Sequence, residues 1–187
     1  IFWIFFIFLK IALADDLVCY YIVHSDGYNC HMVNTFTKNA EITTVNGTHR
    51  RTKTNSLVDV IFIPSSSETE FLPLGACKFF NKLNLLLIQN AKFSTIPEDS
   101  FEDLPNLTIL EIGKTKLSYL PQLIFANNQM LIKIDLKENQ LAVINSIIPP
   151  TVTSLLLLKN DCISKNFTRF SHEIYEKCSN ESIAFSS

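Results

Sequence analysis

The side chains best equipped for chemistry in this 187-residue sequence are five cysteines and four histidines. Cys19, His24, Cys30 and His31 lie close together and are all zinc-ligand types. Their irregular spacing and the oxidising compartment argued below weigh against a metal site and favour a disulfide. His49 stands in a polar stretch and His172 near the C-terminal end, so all four histidines read as solvated or packing residues rather than bases. No Gly-x-Ser-x-Gly elbow, His-Glu-x-x-His pair, phosphate loop or Cys-x-x-Cys occurs. The sequence therefore predicts no enzyme: no catalytic residue, no metal and no cofactor.

The elements that would hold these residues begin with the apolar run Ile1 to Leu9, followed by Lys10 and Ile11-Ala-Leu-Ala-Asp15. It reads as the core of a secretory signal peptide, with Ala12 and Ala14 as the small residues before cleavage, so residues 1–14 are expected to be removed. The initiator Met and basic leader region do not precede it, and the start is expected to be truncated. A membrane span would need about 20 apolar residues, more than this run offers. Of 16 basic and 18 acidic residues only Lys10 is lost with the leader, leaving 15 against 18, or −3. That balance is too mild to predict a nucleic-acid or membrane partner. A soluble, extracellular mature chain is the expectation.

In that compartment five cysteines predict two disulfides and one thiol. Cys19 and Cys30 flank two strand-like runs around Ser25-Asp26-Gly27, so a hairpin would bring them together; Cys162 and Cys178 lie at the other end. Spacing alone leaves the connectivity open. Four sequons, at Asn46, Asn106, Asn166 and Asn180, are candidate N-glycosylation sites.

The main signal is a repeat. Leu107-x-x-Leu110-x-Ile112-x-x-Thr115-x-Leu117 and Leu131-x-x-Ile134-x-Leu136-x-x-Asn139-x-Leu141 superpose at a 24-residue offset. Leu83-x-x-Leu86-x-Ile88-x-x-Ala91-x-Phe93 lies another 24 residues upstream, and Val152-x-x-Leu155-x-Leu157-x-x-Asn160-x-Cys162 follows after 21. A weaker copy, Leu57-x-x-Val60-x-Phe62, precedes them. A second pattern keeps the same register: Leu72-Pro73-x-x-x-Cys77, Ile96-Pro97-x-x-x-Phe101 and Leu120-Pro121-x-x-x-Phe125. Apolar residues at the first, fourth and sixth positions turn inward from a short strand, and stacked units close one core. Cys77, in the Phe101 and Phe125 position, is expected to be a buried free thiol.

Over about residues 57 to 162 the sequence resembles the extracellular leucine-rich-repeat family in its 24-residue form. With two cysteines at each end it is similar to short secreted arthropod members, some of which serve in immunity or extracellular recognition. The resemblance implies an α/β-type solenoid of about five repeats, with a parallel sheet on its concave face and an irregular or 3-10 convex side. The family's ninth position usually carries Asn; here it is Asn139 and Asn160, but Ala91 and Thr115 in the middle units. Pro149-Pro150 in the fourth unit predicts an extended connection.

The expected organisation is a leader (1–14), an N-terminal hairpin cap (15–56), repeats (57–161) and a C-terminal cap and tail (162–187). Ser171 to Cys178 reads as a short capping helix tied by Cys162–Cys178. In this register Asp59, Ile61 and Ile63 of the first unit face the concave side, followed by Leu85, Leu87, Ile109, Glu111, Lys133 and Asp135. The apolar part of that row, with Lys133 and Asp135 supplying polar specificity, is the candidate binding face. The predicted function is recognition of a protein or other extracellular ligand, with innate immunity among the processes the resemblance suggests. The competing readings are a self-associating matrix component, that is a homo-oligomer, and a fragment of a receptor ectodomain.

Overall fold

The computed structural model describes residues 14–25, 27–33, 41–63, 69–70, 75–142, 144, 146–161 and 166–167. Within them the chain forms one nine-stranded sheet. The N-terminal part supplies β1 (Ala14–His24), β2 (Gly27–Met32) and β3 (Glu41–Asn46). Five short strands then recur along the chain: β4 (Val60–Ile63), β5 (Leu85–Gln89), β6 (Ile109–Gly113), β7 (Lys133–Asp135) and β8 (Ser154–Leu156). These five lie side by side and parallel, which makes this part a β-solenoid of five turns. A short β9 (Asn166–Phe167) pairs antiparallel with β8.

The inward positions of the last four units behave as their spacing predicts. Leu83, Leu86 and Ile88 are at most 2% exposed, and so are their counterparts 24 and 48 residues on; Val152, Leu155 and Leu157 are at most 3% exposed. Each such aliphatic side chain contributes roughly 1.5–3 kcal/mol by leaving water, but only because the adjacent unit covers it.

The weak first copy does not keep the predicted register. Val60 pairs with Leu85 and Ile61 with Leu86, so the inward residues are Val58, Ile61 and Ile63, at 0%, 1% and 2% exposure. The expected inward set Leu57, Val60 and Phe62 was one residue out of step. Side chains alternate faces along a strand, so a one-residue slip exchanges core and solvent faces completely. Ile61 and Ile63 therefore belong to the core, and Val60 and Phe62 to the outer face.

A left-handed residue follows each of β5 to β8: Asn90, Lys114, Glu138 and Lys159, all at φ between 56° and 60°. The next residue turns back into the core. Where it is Asn, its side chain replaces the missing strand partners. Asn139 Nδ2 donates to the carbonyls of Ile112 (2.7 Å) and Leu136 (2.9 Å), and its Oδ1 accepts from Thr115 N–H (3.0 Å). Asn160 repeats this with the carbonyls of Leu136 (2.7 Å) and Leu157 (3.0 Å) and the N–H of Leu141 (3.0 Å). Ala91 has no such group, and the Asn90 N–H reaches the Gly113 carbonyl at 3.1 Å.

The returning segments hold turns and a 3-10 turn at Cys77–Phe79; no α-helix occurs among the described residues. The convex side is thus irregular or 3-10, without the helices that an α/β solenoid name suggests. Phe101 and Phe125 stack at 6.2 Å between centroids. Cys77, one unit upstream, is buried with its thiol directed at the Ser100 carbonyl 3.7 Å away. Asn128, fully buried, donates to the carbonyls of Phe101 (2.9 Å) and Leu104 (2.8 Å), a second asparagine contact absent from the sequence reading. Val152 N–H bonds the Pro149 carbonyl at 3.0 Å, so the Pro149-Pro150 connection ends in a turn rather than staying extended.

The N-terminal cap is the expected hairpin, with β1 antiparallel to β2 and closed by a Cys19–Cys30 disulfide whose Cα atoms are 5.2 Å apart. Cys19 pairs in register with Met32 and Cys30 with Tyr21, so the bridge runs diagonally on the buried face. β3 lies outside β1, parallel to it. The following loop folds back over this cap: Tyr28 Oη lies 2.8 Å from His49 Nδ1, Tyr21 Oη donates to Asn55 Oδ1, and the His49 ring stacks on Tyr21 at 4.1 Å. Burial, and then the neighbouring Tyr28, push the Tyr21 hydroxyl up to about 12. The leader up to residue 13, the Cys162–Cys178 pair, the 171–178 helix and the Asn180 sequon lie outside the described residues.

Candidate functional site

Hydrogen-bond register dictates which side chains share the outer face of the sheet. One row runs Asn29, Val60, Leu85, Ile109, Lys133, Ser154. A second runs His31, Phe62, Leu87, Glu111, Asp135, Leu156. Leu85, Leu87, Ile109, Glu111, Lys133 and Asp135, singled out from sequence, thus stand side by side. The structure extends them where the sequence reading stopped, because β2 pairs parallel with β4 and carries Asn29 and His31 into the same rows. Cys30 points into the core, so its neighbours on the strand must point out. That alternation was the signal available in the sequence for His31; assigning the histidines to a separate cap concealed it.

The two halves of this face differ in chemistry. On β6 and β7 the charges satisfy one another. Lys133 Nζ lies 2.5 Å from Glu111 Oε1 and 3.9 Å from Asp135 Oδ2, and Lys137 Nζ is 3.0 Å from the same Asp135 oxygen. Asp135 also accepts from the Lys137 N–H at 3.2 Å, and its side chain is only 10% exposed. Partly exposed pairs of this kind contribute about 1 kcal/mol or less each to stability. Their larger effect is to fix the direction of each charge.

At the N-terminal half a shallow cleft of about 380 Å³ opens where the hairpin meets the first two units. Its apolar floor is Val60, Phe62, Leu85 and Leu87, and His24, Ser25, Asn29 and His31 rise along the hairpin side. The His31 ring lies 5.1 Å from that of Phe62 and 6.4 Å from that of His24. Strands carry seven of the eight lining residues, which fixes them better than a loop would. A second hollow, about 520 Å³, lies among Glu98, Asp99, Glu102, Leu123 and Asn127 on the returning segments. There Glu98 Oε1 accepts the Leu123 N–H at 2.8 Å.

The remaining candidates fall elsewhere. Cys19 and Cys30 are consumed by the disulfide and unavailable to a metal, and the described residues contain no cluster of three or more potential metal-binding side chains. Cys77 is buried away from the face; desolvation, and then the Asp103 charge, push its thiol up to about 12. Asn46 and Asn106 are exposed, the first donating to Asp16 Oδ2 (3.0 Å) and the second to the Asn81 carbonyl (2.8 Å). Asn166 lies on β9. Among the described residues no helix is long and apolar enough to cross a membrane.

No protein-family model and no curated protein matches this sequence. Among solved structures it is similar to the crystal structure of a TLR13–ssRNA13 complex, at 17% identity and a TM-score of 0.39. The match covers 64% of this chain and only 18% of that one, so the chain spans a small part of that protein's length. A likeness this remote carries no argument about ligand or activity.

Proposed function

We propose that this chain is a secreted recognition protein of the leucine-rich-repeat type that binds a protein or other extracellular ligand on the outer face of its sheet. The observation that carries the reading is the continuous pair of rows across β2 and β4 to β8. They place Phe62, Leu85, Leu87 and Ile109 beside the Glu111–Lys133–Asp135 ladder on the sheet, with Val60 buried among them. Partly exposed apolar side chains next to oriented charges supply the two ingredients of a specific contact: desolvated area and a polar register. Secretion is supported by the disulfide, which persists in oxidising compartments, and by the leader-like start of the sequence. Within this reading residues 15–56 form the N-terminal cap, 57–161 the repeats and 162–187 the C-terminal cap and tail. Asn46, Asn106, Asn166 and Asn180 are proposed to carry glycans.

The test is capture of partners from extracellular fluid by the secreted chain, beside Leu87→Arg and Asp135→Lys variants of equal yield. Partners held by the wild type and lost from both variants support the outer face. Partners retained by both variants place the contact elsewhere.

A further inference from the structure

We propose that the basic turn Arg50-Arg51-Thr52-Lys53, on the back of the N-terminal hairpin, is a second binding site, one that takes a sulfated polysaccharide. It shares with the proposed function only the extracellular location and makes no use of the outer face of the sheet.

The sequence concentrates positive charge here against the trend of the chain. No acid occurs between Glu41 and Asp59, whereas Arg50, Arg51 and Lys53 stand together in a chain whose formal net charge is −2. All three residues are exposed, and none forms an ion pair among the described residues. The Lys53 N–H bonds the Arg50 carbonyl at 3.2 Å, folding the segment into a turn with Arg51 at φ 56°. The first and last Cα atoms of such a turn lie within about 7 Å of each other, so the three cations share one small surface.

The turn is anchored from beneath. The His49 ring stacks on Tyr21 at 4.1 Å, with Nδ1 2.8 Å from Tyr28 Oη; the Arg50 N–H reaches the same hydroxyl at 3.4 Å. Lys53 Nζ lies 5.6 Å from the centre of the Tyr28 ring, a contact that orients the ammonium without neutralising it. Tyr21 Oη holds the far end of the loop by donating to Asn55 Oδ1. These contacts fix the turn and leave both guanidinium groups in solvent. Tyr21 and Tyr28 are buried on the inner side of β1 and β2, so the turn lies across the hairpin from the outer rows. Asn46 directs its amide to Asp16, which points outward from β1, so a glycan there would leave on the other side.

Chemistry selects the polymer. Each Arg offers paired N–H donors in a planar fork that fits two oxygens of one oxyanion. Cations this close match a chain with several ionised sulfates on adjoining sugars; one carboxylate per sugar pair is too dilute in charge. A membrane site needs apolar side chains to enter the lipid, and residues 46–55 contain none. Single-stranded nucleic acid needs exposed aromatic faces for its bases, and the Tyr21 and Tyr28 rings under the turn are 2% and 1% exposed.

The test is titration of the secreted full-length chain with a labelled heparin oligosaccharide and with the same oligosaccharide after chemical desulfation. The sulfated form should bind roughly tenfold or more tightly than the desulfated one, the sum of three screened charge contacts. Raising salt from about 50 to about 200 mM should weaken it roughly 20- to 40-fold, as counterion release by three cations requires. Arg50→Gln/Arg51→Asn/Lys53→Gln should cost most of that preference; Asn is used at Arg51 because it tolerates left-handed backbone. Arg50→Gln alone leaves every loop anchor in place and should reduce the logarithmic salt slope by about 0.7–0.9. The control Lys82→Gln/Lys114→Gln/Lys116→Gln removes three exposed cations elsewhere and should change binding less than about threefold.

Equal binding of the sulfated and desulfated forms overturns the proposal. So does a preference that survives the turn variants, or a loss equally large in the control. Tighter binding of phosphatidylserine vesicles or of oligouridine at equal anionic charge also overturns it, making the turn a membrane or nucleic-acid contact instead. Partner capture on the outer face is scored separately with Leu87→Arg and Asp135→Lys, so either reading can fail while the other stands.

Discussion

Replacing Asn139 by alanine tests whether the polar ladder inside the coil, rather than apolar stacking alone, holds successive turns together. Asn139 is 5% exposed and makes four contacts: with the Thr115 N–H (3.0 Å) and hydroxyl (2.5 Å) and with the carbonyls of Ile112 (2.7 Å) and Leu136 (2.9 Å). Alanine deletes all four, but two of the partners retain another bond. The Thr115 hydroxyl still accepts the Leu117 N–H at 3.1 Å, and the Leu136 carbonyl keeps Asn160 Nδ2 at 2.7 Å. The groups stripped of their side-chain partner are the Thr115 N–H and the Ile112 carbonyl. At roughly 1–3 kcal/mol for each of these two buried polar groups left unpaired, the expected loss is about 2–6 kcal/mol. The Asn139→Ala/Asn160→Ala double variant also strips the shared Leu136 carbonyl, so it should lose about 1 kcal/mol more than the sum of the singles. Urea unfolding followed by circular dichroism, with the disulfide intact, measures both quantities, provided the slope is unchanged among variants. Gln140→Ala, one residue along and exposed, is the control. A loss for Asn139→Ala no greater than the control, or strict additivity of the double variant, would refute the ladder as a source of stability.

Three further outcomes follow from register and burial. Ile61→Ala should cost about 2–4 kcal/mol in urea unfolding as a cavity in the core, whereas Phe62→Ala should leave stability within about 1 kcal/mol; the opposite assignment would restore the slipped register. The Cys77 thiol, pushed up to about 12 by burial, should resist iodoacetamide at mildly alkaline pH in the folded chain and react only on unfolding. Because its folded value lies above the unfolded one, its contribution is present below the unfolded thiol range and is lost as pH rises from there through about 12. Gly47→Ala should lower the melting temperature by several degrees. The residue sits at φ 143° and an added Cβ would lie 2.2 Å from the Cys19 carbonyl oxygen; an unchanged melt would mean the loop detaches without cost.

The repeats were legible because two patterns had to agree at once. The strand positions Leu107, Leu110 and Ile112 and the return position Phe125 constrain one another, and no shifted alignment satisfies both. The first unit lacked that second constraint. Its strand, Leu57-Val-Asp-Val-Ile-Phe-Ile63, is apolar at nearly every position, so period-two alternation cannot tell Val60 and Phe62 from Ile61 and Ile63. Pairing with the already fixed β5 decides it, and that information lies in the neighbouring strand. Asn128 was missed for a different reason: it occupies the position of Leu104 and so reads as a break in an apolar pattern. In the fold its side chain reaches two carbonyls of the preceding unit.

The pairing of β2 with β4 changes how the cap is understood. The sequence predicts a terminal hairpin cap whose histidines are solvated or packing residues. Here the cap is a strand pair continuous with the sheet: covering the core with Cys30 and Tyr28 obliges the alternate residues Asn29 and His31 to join the outer rows. Capping and recognition are therefore two faces of one strand. The Cys19–Cys30 bridge, which in the chain-entropy view contributes about 3 kcal/mol for a loop of this size, should then hold His31 over Phe62 as well as closing the core. Reducing it under conditions where β4 to β8 stay folded should weaken partner capture by the N-terminal half of the outer face while leaving the Glu111–Lys133–Asp135 ladder intact. If capture survives reduction, β2 is positioned by sheet pairing alone and the disulfide serves stability only.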